Sequence, residues 1–216
     1  MKGFKDGCRP YIGPNGCHIH GLYGGILLVT VGIDANNDLF PLVVAVVEVE
    51  CTDSWTWFLK NLEACIGQNK SRGNWTFMSD QQKGLGLALD KVFPYAFHRF
   101  CERHMYANFR SDYHGMLLRL DFWIAARAFN LHDWNTAMEE MSKHKDEAVR
   151  IMARKDKETW ARHSFNPFAK CENITNNDVE SFNSWVRDLR DLHLDPSLEI
   201  MHPPLMKRLS GRPRRN

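Results

Sequence analysis

The sequence lacks the features that mark membrane, secreted and disulfide-rich proteins. No apolar run approaches the ~20 residues that a helix needs to cross a bilayer, so we expect no membrane partner. The opening residues, MKGFKDGCRP, contain no apolar signal-peptide core, and we expect no secretory signal. The six cysteines form no CxxC pair. In the absence of a secretory signal, they are predicted to be reduced thiols in the cytosol or nucleus.

The chain also lacks a large excess of positive or negative charge, since its formal net charge is only +2. Its distribution is uneven: the segment from Pro203 to the end has five basic residues and no acidic one. The rest of the chain has 23 basic against 26 acidic residues, a net charge of about −3. A basic tail on a slightly acidic body suits a phosphate backbone as partner, although a solubilising disordered terminus explains it equally. The basic residues of the tail are Lys207, Arg208, Arg212, Arg214 and Arg215.

Length and composition fit a globular core with a tail. With 216 residues, 44% hydrophobic and 25% charged, the chain is large enough to bury a sizeable core. We expect a core over residues 7–192. Residues 193–216 are expected to form a basic tail that does not fold by itself.

The first half of the core alternates strand and helix patterns. Residues 25–33 (GILLVTVGI) and 40–49 (FPLVVAVVEV) are predicted strands of a hairpin whose turn is Asn36-Asn37-Asp38. An earlier strand over 11–19 is predicted to be interrupted at Gly13-Pro14.

Further apolar patterns extend this order to β-β-β-α-β-α-β-α. They are a helix capped by Thr52 or Asp53, a strand over 75–79, a helix over 85–92, a strand over 95–100 and a helix from about Cys101. The order predicts an α/β fold with three antiparallel strands followed by crossover strands in a mixed sheet flanked by helices. Residues 117–161 are predicted to be an all-helical insertion, and a last helix is predicted over 176–192.

Asp80 lies where a predicted strand passes into a loop, in TFMSDQQKGL. Strand ends hold polar side chains on a rigid base, which metal ligation requires. An equally simple alternative is that Asp80 caps the helix that follows.

Glu180 lies in the last predicted helix, in TNNDVESFNSWVRDL. Thr175 and Asp178 have the spacing of a capping box at its beginning. Glu180 falls on a polar face beside the apolar stripe, where it can point into a cleft or simply into solvent.

Cys101 and His104 are three residues apart on one predicted helix face and have side chains that bind metals. Two ligands do not make a site. A buried thiol beside a hydrogen-bonded imidazole explains the pair without a metal, so zinc at this pair is a secondary hypothesis.

Several segments together resemble the MULE transposase domain of plant Mutator-like elements, over residues from Gly7 to about Leu192. These segments are GCRPYIG, GCHIHGLYGGILLVTVGIDANNDLFPLVVAVVEVE, DSWTWFL, TFMSDQQKGL, FPYAFHRFCERHMYANF and NNDVESFNSW. The resemblance implies an RNase H-like fold with an Asp-Asp-Glu triad for Mg²⁺ or Mn²⁺. Asp80 and Glu180 match the second and third positions, and Cys101 and His104 match a further motif.

The first triad position departs from the family. The usual segment is G-L-D-G, whereas this chain has Gly13-Pro14-Asn15-Gly16. Asn15 keeps one carbonyl oxygen but loses the negative charge. Two-metal cleavage uses ions about 3.5–4 Å apart, and Mg²⁺ selects anionic oxygen ligands. Neither Asp6 nor Asp34 is expected to replace the missing carboxylate. The sequence therefore predicts weak or absent nuclease activity.

The resulting hypothesis is a Mutator-like transposase core that acts in the nucleus on the DNA of transposon terminal repeats, with homo-oligomerisation left open. The alternative is a non-catalytic, domesticated DNA-binding protein that acts in transcription. The tail also resembles an AT-hook, at Gly211-Arg212-Pro213. Because no N-terminal DNA-binding region or zinc-binding SWIM module is found, we expect a shortened derivative of a longer transposase.

Overall fold

The computed structural model describes residues 2–19, 24–69, 74–82 and 84–186, and its centre is a five-stranded mixed sheet. The strands are β1 (Cys8–His18), β2 (Ile26–Asp34), β3 (Leu39–Val47), β4 (Thr76–Ser79) and β5 (Phe97–Phe100). The helices are α1 (Lys2–Gly7), α2 (Thr52–Ile66), α3 (Leu85–Val92), α4 (Glu102–Asp112), α5 (Met116–Arg127), α6 (Leu131–Ala153) and α7 (Asn177–Trp185). None of the helices in these ranges is both long and apolar enough to span a membrane.

The strands lie in the order β3-β2-β1-β4-β5. β2 is antiparallel to both of its neighbours, β1 and β3, whereas β4 is parallel to both of its neighbours, β1 and β5. Helices α2 and α3 connect the later strands, as crossover connections between parallel strands require. The predicted α/β class, with an antiparallel hairpin set followed by crossover strands, is confirmed.

Strand β1 is continuous, so the predicted interruption at Gly13-Pro14 is wrong. Both residues pair with β2, at Val31 and Thr30. On its other side β1 pairs with β4 only at Tyr11 and Ile12. Because the pairing with β4 does not extend to Pro14, the missing N–H of proline removes no bond of that pairing.

Two predicted helix caps are also wrong, and α1 was not predicted. The N-cap of α2 is Cys51 rather than Thr52 or Asp53. The N-cap of α7 is Asn176, and Asp178 accepts a hydrogen bond from Asn173 Nδ2 at 2.6 Å instead of closing a capping box. In both cases the N-cap lies one or two residues from the predicted cap, a shift that local sequence patterns do not resolve.

The two faces of the sheet bury different helices. One face packs against α2 and α3 through Ile12, Leu28, Phe77, Trp55, Phe58 and Leu89. The opposite face packs against α7 through Val29, Val31, Val179 and Phe182. The helix that carries Glu180 is therefore held directly on the centre of the sheet.

The segment predicted as a helical insertion has a core of its own. Helices α5 and α6 bury Phe122, whose ring centroid lies 5.3 Å from that of Phe109 and 6.2 Å from that of Trp160. Helix α6 has a kink at Lys145. The helical pattern was predicted to run to residue 161, but α6 ends at Ala153 and three short 3-10 helices follow. They are Lys157–Thr159, Arg162–Ser164 and Pro167–Ala169.

Gly13 allows α7 to lie very close to β1. A Cβ atom at this position would be 2.3 Å from Val179 Cγ2 and 2.8 Å from Asn176 Oδ1. Asn176 is only 2% exposed, and its Nδ2 donates to the Pro14 carbonyl at 3.5 Å. The position of α7, and with it the position of Glu180, depends on the absence of a side chain at Gly13.

We predict that Gly13→Ala lowers the free energy of unfolding by about 1–3 kcal/mol, because the added methyl group overpacks the contact between β1 and α7. The matched control is Gly86→Ala in α3, where an added Cβ meets nothing within 4 Å. The control should be neutral or gain up to about 1 kcal/mol from helix propensity. Urea denaturation measures both. Equal effects would contradict the close contact at Gly13.

Candidate functional site

The polar residues singled out in the sequence lie near the end of β4, beside which β1 continues to His18. Ile12 of β1 pairs with Phe77 of β4, and Asn15 and Asp80 each lie three residues further along their segments. Gln82, which follows Asp80 by two residues, donates from Nε2 to Asn15 Oδ1 at 3.2 Å. Asn15 is 8% exposed. The first and second triad positions therefore share one end of the sheet.

Asp80 is not a helix cap, because α3 begins after Gly84, which adopts a left-handed conformation. The Asp80 side chain is half-buried, and its Oδ1 has no hydrogen-bond partner. Burial raises the pKa of Asp80 from its ordinary value of 3.8 to about 6, with Glu50 adding to the rise and His104 opposing it. A buried carboxylate oxygen without a donor is a favourable position for a cation.

Glu180 points towards α4 rather than only into solvent. Arg103 Nη1 donates to Glu180 Oε2 at 2.8 Å and to Asn177 Oδ1 at 2.9 Å. The ion pair is exposed enough for solvent to weaken it. Glu180 Oε2 is thus partnered by a cation of the chain itself, and the pair links the beginnings of α4 and α7.

Cys101 and His104 form a contact of their own. Cys101 is fully buried, and its Sγ accepts a hydrogen bond from the Asn176 backbone N–H at 3.3 Å. Burial alone would raise the pKa of the Cys101 thiol, but hydrogen bonds with His104 and Asn176 lower it. The pKa of His104 is raised mainly by its hydrogen bond with Cys101, and the charges of Asp80 and Glu180 raise it further.

His104 is therefore close to both acids of the predicted triad. Within the part of the chain that the structure describes, one group of side chains has metal-ligand spacing: Cys101, His104 and Glu180, whose donor atoms lie within 4.8 Å of one another. Asp80 is not a member of this group. All five predicted core positions lie around one end of the sheet, whereas the predicted DNA-binding tail, Lys207 to Arg215, lies outside the described residues.

One acid at this site was missed in the sequence. Glu50 stands between β3 and α2, and its Oε1 would be 3.2 Å from a Cβ atom at Gly16. Trp55 Nε1 donates to the same oxygen at 3.0 Å. Burial raises the pKa of the Glu50 carboxyl group, and Glu50 in turn raises the pKa of Asp80. By contrast, Asp34 pairs with Cys8 at the opposite end of β1, as expected.

Arg103 and Gln82 were also missed, because their roles arise from tertiary contacts. Arg103 lies between Cys101 and His104 in sequence, yet its partner is on α7. The sequence did contain one signal for Arg103, because it is a charged residue between Cys101 and His104, two residues with the spacing of metal ligands. The spacing of Gln82 from Asp80 carried no comparable signal.

The residues fit a hard divalent cation in part. Asp80 and Glu180 offer carboxylates, and Asp80 Oδ1 is buried without a partner. Asn15 offers an amide oxygen that already accepts a hydrogen bond from Gln82. With Asp80 and Glu180 as its acids, the arrangement offers a cation less negative charge than a site with three acids.

Comparison with known proteins identifies part of the chain. Residues 16–108 match the family described as MULE transposase domain, a range that includes Asp80, Cys101 and His104 but neither Asn15 nor Glu180. No curated protein matches the chain. A solved structure, the simian T-cell lymphotropic virus intasome in complex with PP2A regulatory subunit B56 gamma, contains a chain that is 11% identical. The alignment has a TM-score of 0.30 and covers 91% of this chain and 61% of that chain, and a score this low supports no inference about function.

We predict that Glu50→Gln lowers the pKa of Asp80 from about 6 towards its ordinary value, because a repelling carboxylate is removed while burial remains. Since the folded state binds this proton more tightly than the unfolded state, the stability that Asp80 contributes declines as the pH rises from about 4 to about 6. Glu50→Gln should reduce that decline.

The measurement is a carboxyl-carbon NMR titration, with Glu48→Gln, an exposed neighbour, as the matched control. An unchanged Asp80 pKa in Glu50→Gln would show that Glu50 does not act on this site.

Proposed function

We propose that this chain, whose residues 16–108 belong to the MULE transposase domain family, is the catalytic core of a Mutator-like DNA transposase with impaired strand cleavage. The observation that supports the proposal is that Asn15 and Asp80 follow paired residues of neighbouring strands by the same spacing, while the charges of Asp80 and Glu180 both act on His104. The five-stranded order, with two parallel strands after three antiparallel ones, supports the RNase H-like interpretation.

The proposed reaction is divalent-metal-dependent cleavage and transfer of DNA strands. Asp80 and Glu180 would hold Mg²⁺ or Mn²⁺ through their carboxylates, and Asn15 would contribute only its amide oxygen. When bound, a metal pair supplies the charge that activates an attacking oxygen and stabilises a leaving oxygen on phosphate. The protein's part is to keep the two acids rigid: Asp80 at the end of a strand, and Glu180 on a helix fixed by Gly13.

The impairment follows from charge. Two unit charges ~4 Å apart attract by about 4 kcal/mol at a surface-like dielectric, and a divalent cation doubles the charge on one side. An amide at position 15 is uncharged and does not provide this attraction. The repulsion between Glu50 and Asp80 shows that the pocket has other negative charge, but Glu50 already accepts a hydrogen bond from Trp55. We propose that Glu50 restores only part of the missing attraction.

The proposed partner is DNA carrying transposon terminal repeats, and the proposed place of action is the nucleus of a plant cell. A domesticated, non-catalytic DNA-binding protein is the second candidate, which the amide at position 15 favours. DNA binding that survives loss of both Asp80 and Glu180, without cleavage in any variant, would support that second candidate.

We predict that Asn15→Asp increases Mn²⁺- or Mg²⁺-dependent cleavage by at least about 100-fold, since recovery of about 3 kcal/mol in cation binding corresponds to that factor. The new carboxylate can still accept the hydrogen bond from Gln82, so the fold should tolerate it. The assay is strand cleavage of a duplex with terminal repeats and nicking of a supercoiled plasmid. Mn²⁺ affinity, measured by electron paramagnetic resonance, gives a readout without DNA.

The matched control is Asn36→Asp, which adds the same charge in an exposed turn at the other end of the β2–β3 hairpin. It should leave cleavage unchanged. Asn15→Asp combined with Asp80→Asn should be inactive, which guards against a contaminating nuclease. Strong cleavage by the unaltered protein would disprove the impairment, and no gain in Asn15→Asp would remove Asn15 from the site.

A further inference from the structure

Cys101, His104 and Glu180 form a group that contains a thiol and an imidazole. A magnesium site with two carboxylates requires neither of these side chains. Cys101 immediately precedes α4, His104 is in the first turn of α4, and Glu180 is on α7. One donor atom from each lies within 4.8 Å of the others. The sequence offered only two of these ligands, and the fold supplies the third.

The spacing is compatible with one small cation. With metal–ligand distances of about 2.3 Å for sulfur and 2.0–2.1 Å for nitrogen, two ligands of tetrahedral zinc lie about 3.5 Å apart. The three donor atoms would therefore need to close by no more than about 1.3 Å. His104 and Glu180 are half-buried, so a water molecule can reach a fourth position.

Two further observations concern how the donor atoms are held. The Cys101 sulfur accepts the Asn176 backbone N–H, and such a donor stabilises a metal-bound thiolate. His104 Nδ1 is buried and has no hydrogen-bond partner. A thiolate, an imidazole and a carboxylate form a ligand set that favours zinc and similar transition metals over magnesium.

We infer that Cys101, His104 and Glu180 form a binding site for zinc or a chemically similar divalent cation, next to the position of the hard cation. The inference rests on the proposed function in one respect only: Glu180 belongs to both sites. A cation held by Cys101 and His104 withdraws Glu180 from Asp80, so occupancy of the zinc site inhibits magnesium-dependent cleavage.

Arg103 is the competitor for Glu180 within the chain. Its side chain is 56% exposed, and its bond to Glu180 Oε2 is a surface ion pair that solvent screens. A cation therefore displaces little when Arg103 turns into solvent. Removal of this positive charge should strengthen cation binding.

The test uses the full chain without an affinity tag and Co²⁺ as the probe, followed by displacement with Zn²⁺. We expect one equivalent of Co²⁺ to bind with a sulfur-to-cobalt charge-transfer absorption that Zn²⁺ abolishes. Cys101→Ser should lose this absorption, and His104→Ala and Glu180→Gln should each weaken Co²⁺ binding by at least about 100-fold, more than loss of an outer partner typically costs. Arg103→Gln should tighten it by about 3- to 10-fold.

Matched controls separate ligation from misfolding. Cys65→Ser removes an exposed cysteine and should leave the absorption intact, and Arg110→Gln on the exposed side of α4 should leave the affinity unchanged. Because Cys101 is buried, each variant is checked by circular dichroism, and the half-buried His104 and Glu180 provide a second line of evidence. No thiolate absorption, or the same absorption in Cys101→Ser, would overturn the site.

Failure of this inference and failure of the proposed function give different results. Asp80→Asn should keep Co²⁺ binding, because Asp80 is outside the group. Thiolate absorption without cleavage by Asn15→Asp would keep the zinc site and reject the transposase mechanism. Cleavage by Asn15→Asp without thiolate absorption would keep the transposase mechanism and reject the zinc site. If both hold, Zn²⁺ should inhibit cleavage by Asn15→Asp, and addition of His104→Ala should relieve the inhibition.

Discussion

The contact between α7 and β1 at Gly13 is the constraint on which the site depends. Helix α7 approaches a central strand so closely that even a methyl group would collide with Val179. Asn176 also holds this contact, because its side chain donates to the Pro14 carbonyl and its backbone N–H donates to the Cys101 sulfur. Since Asn176 immediately precedes α7, the direction of the helix and the reach of Glu180 are set where β1, α4 and α7 meet.

The sequence predicted the sheet because its strands and crossover helices have strong local patterns. The hairpin of β2 and β3 has two β-branched runs and an Asn-rich turn, and α2 has a full apolar stripe. The predictions were wrong where contacts between segments, rather than the local sequence, determine the structure. Pro14 is compatible with a continuous strand because the pairing between β1 and β4 stops at Ile12, and the N-caps of α2 and α7 are displaced by one or two residues.

The site was predictable to the extent that it depends on strand ends and on a family pattern. Asp80 was recognised from its position after β4, and Glu180 from the polar face of a helix and the resemblance. Glu50 was not recognised, because nothing in its local sequence reveals that its side chain lies beside Gly16. The cluster of Cys101, His104 and Glu180 was incomplete for the same reason, since its third ligand comes from a helix beyond the whole insertion.

On the two proposals, Glu180 has three competing partners: a hard cation shared with Asp80, a zinc-like cation shared with Cys101 and His104, and Arg103, with which it forms an ion pair. The presence of an amide at position 15 changes their balance. Loss of one carboxylate weakens the hard-cation position, but it leaves the thiol, the imidazole and Glu180 untouched. On these proposals, the amide at position 15 therefore shifts Glu180 towards the zinc-like cation, even though Asn15 is not a member of that site. A carboxylate at position 15 would draw Glu180 back, which makes the two cation affinities of this chain inversely coupled through one side chain.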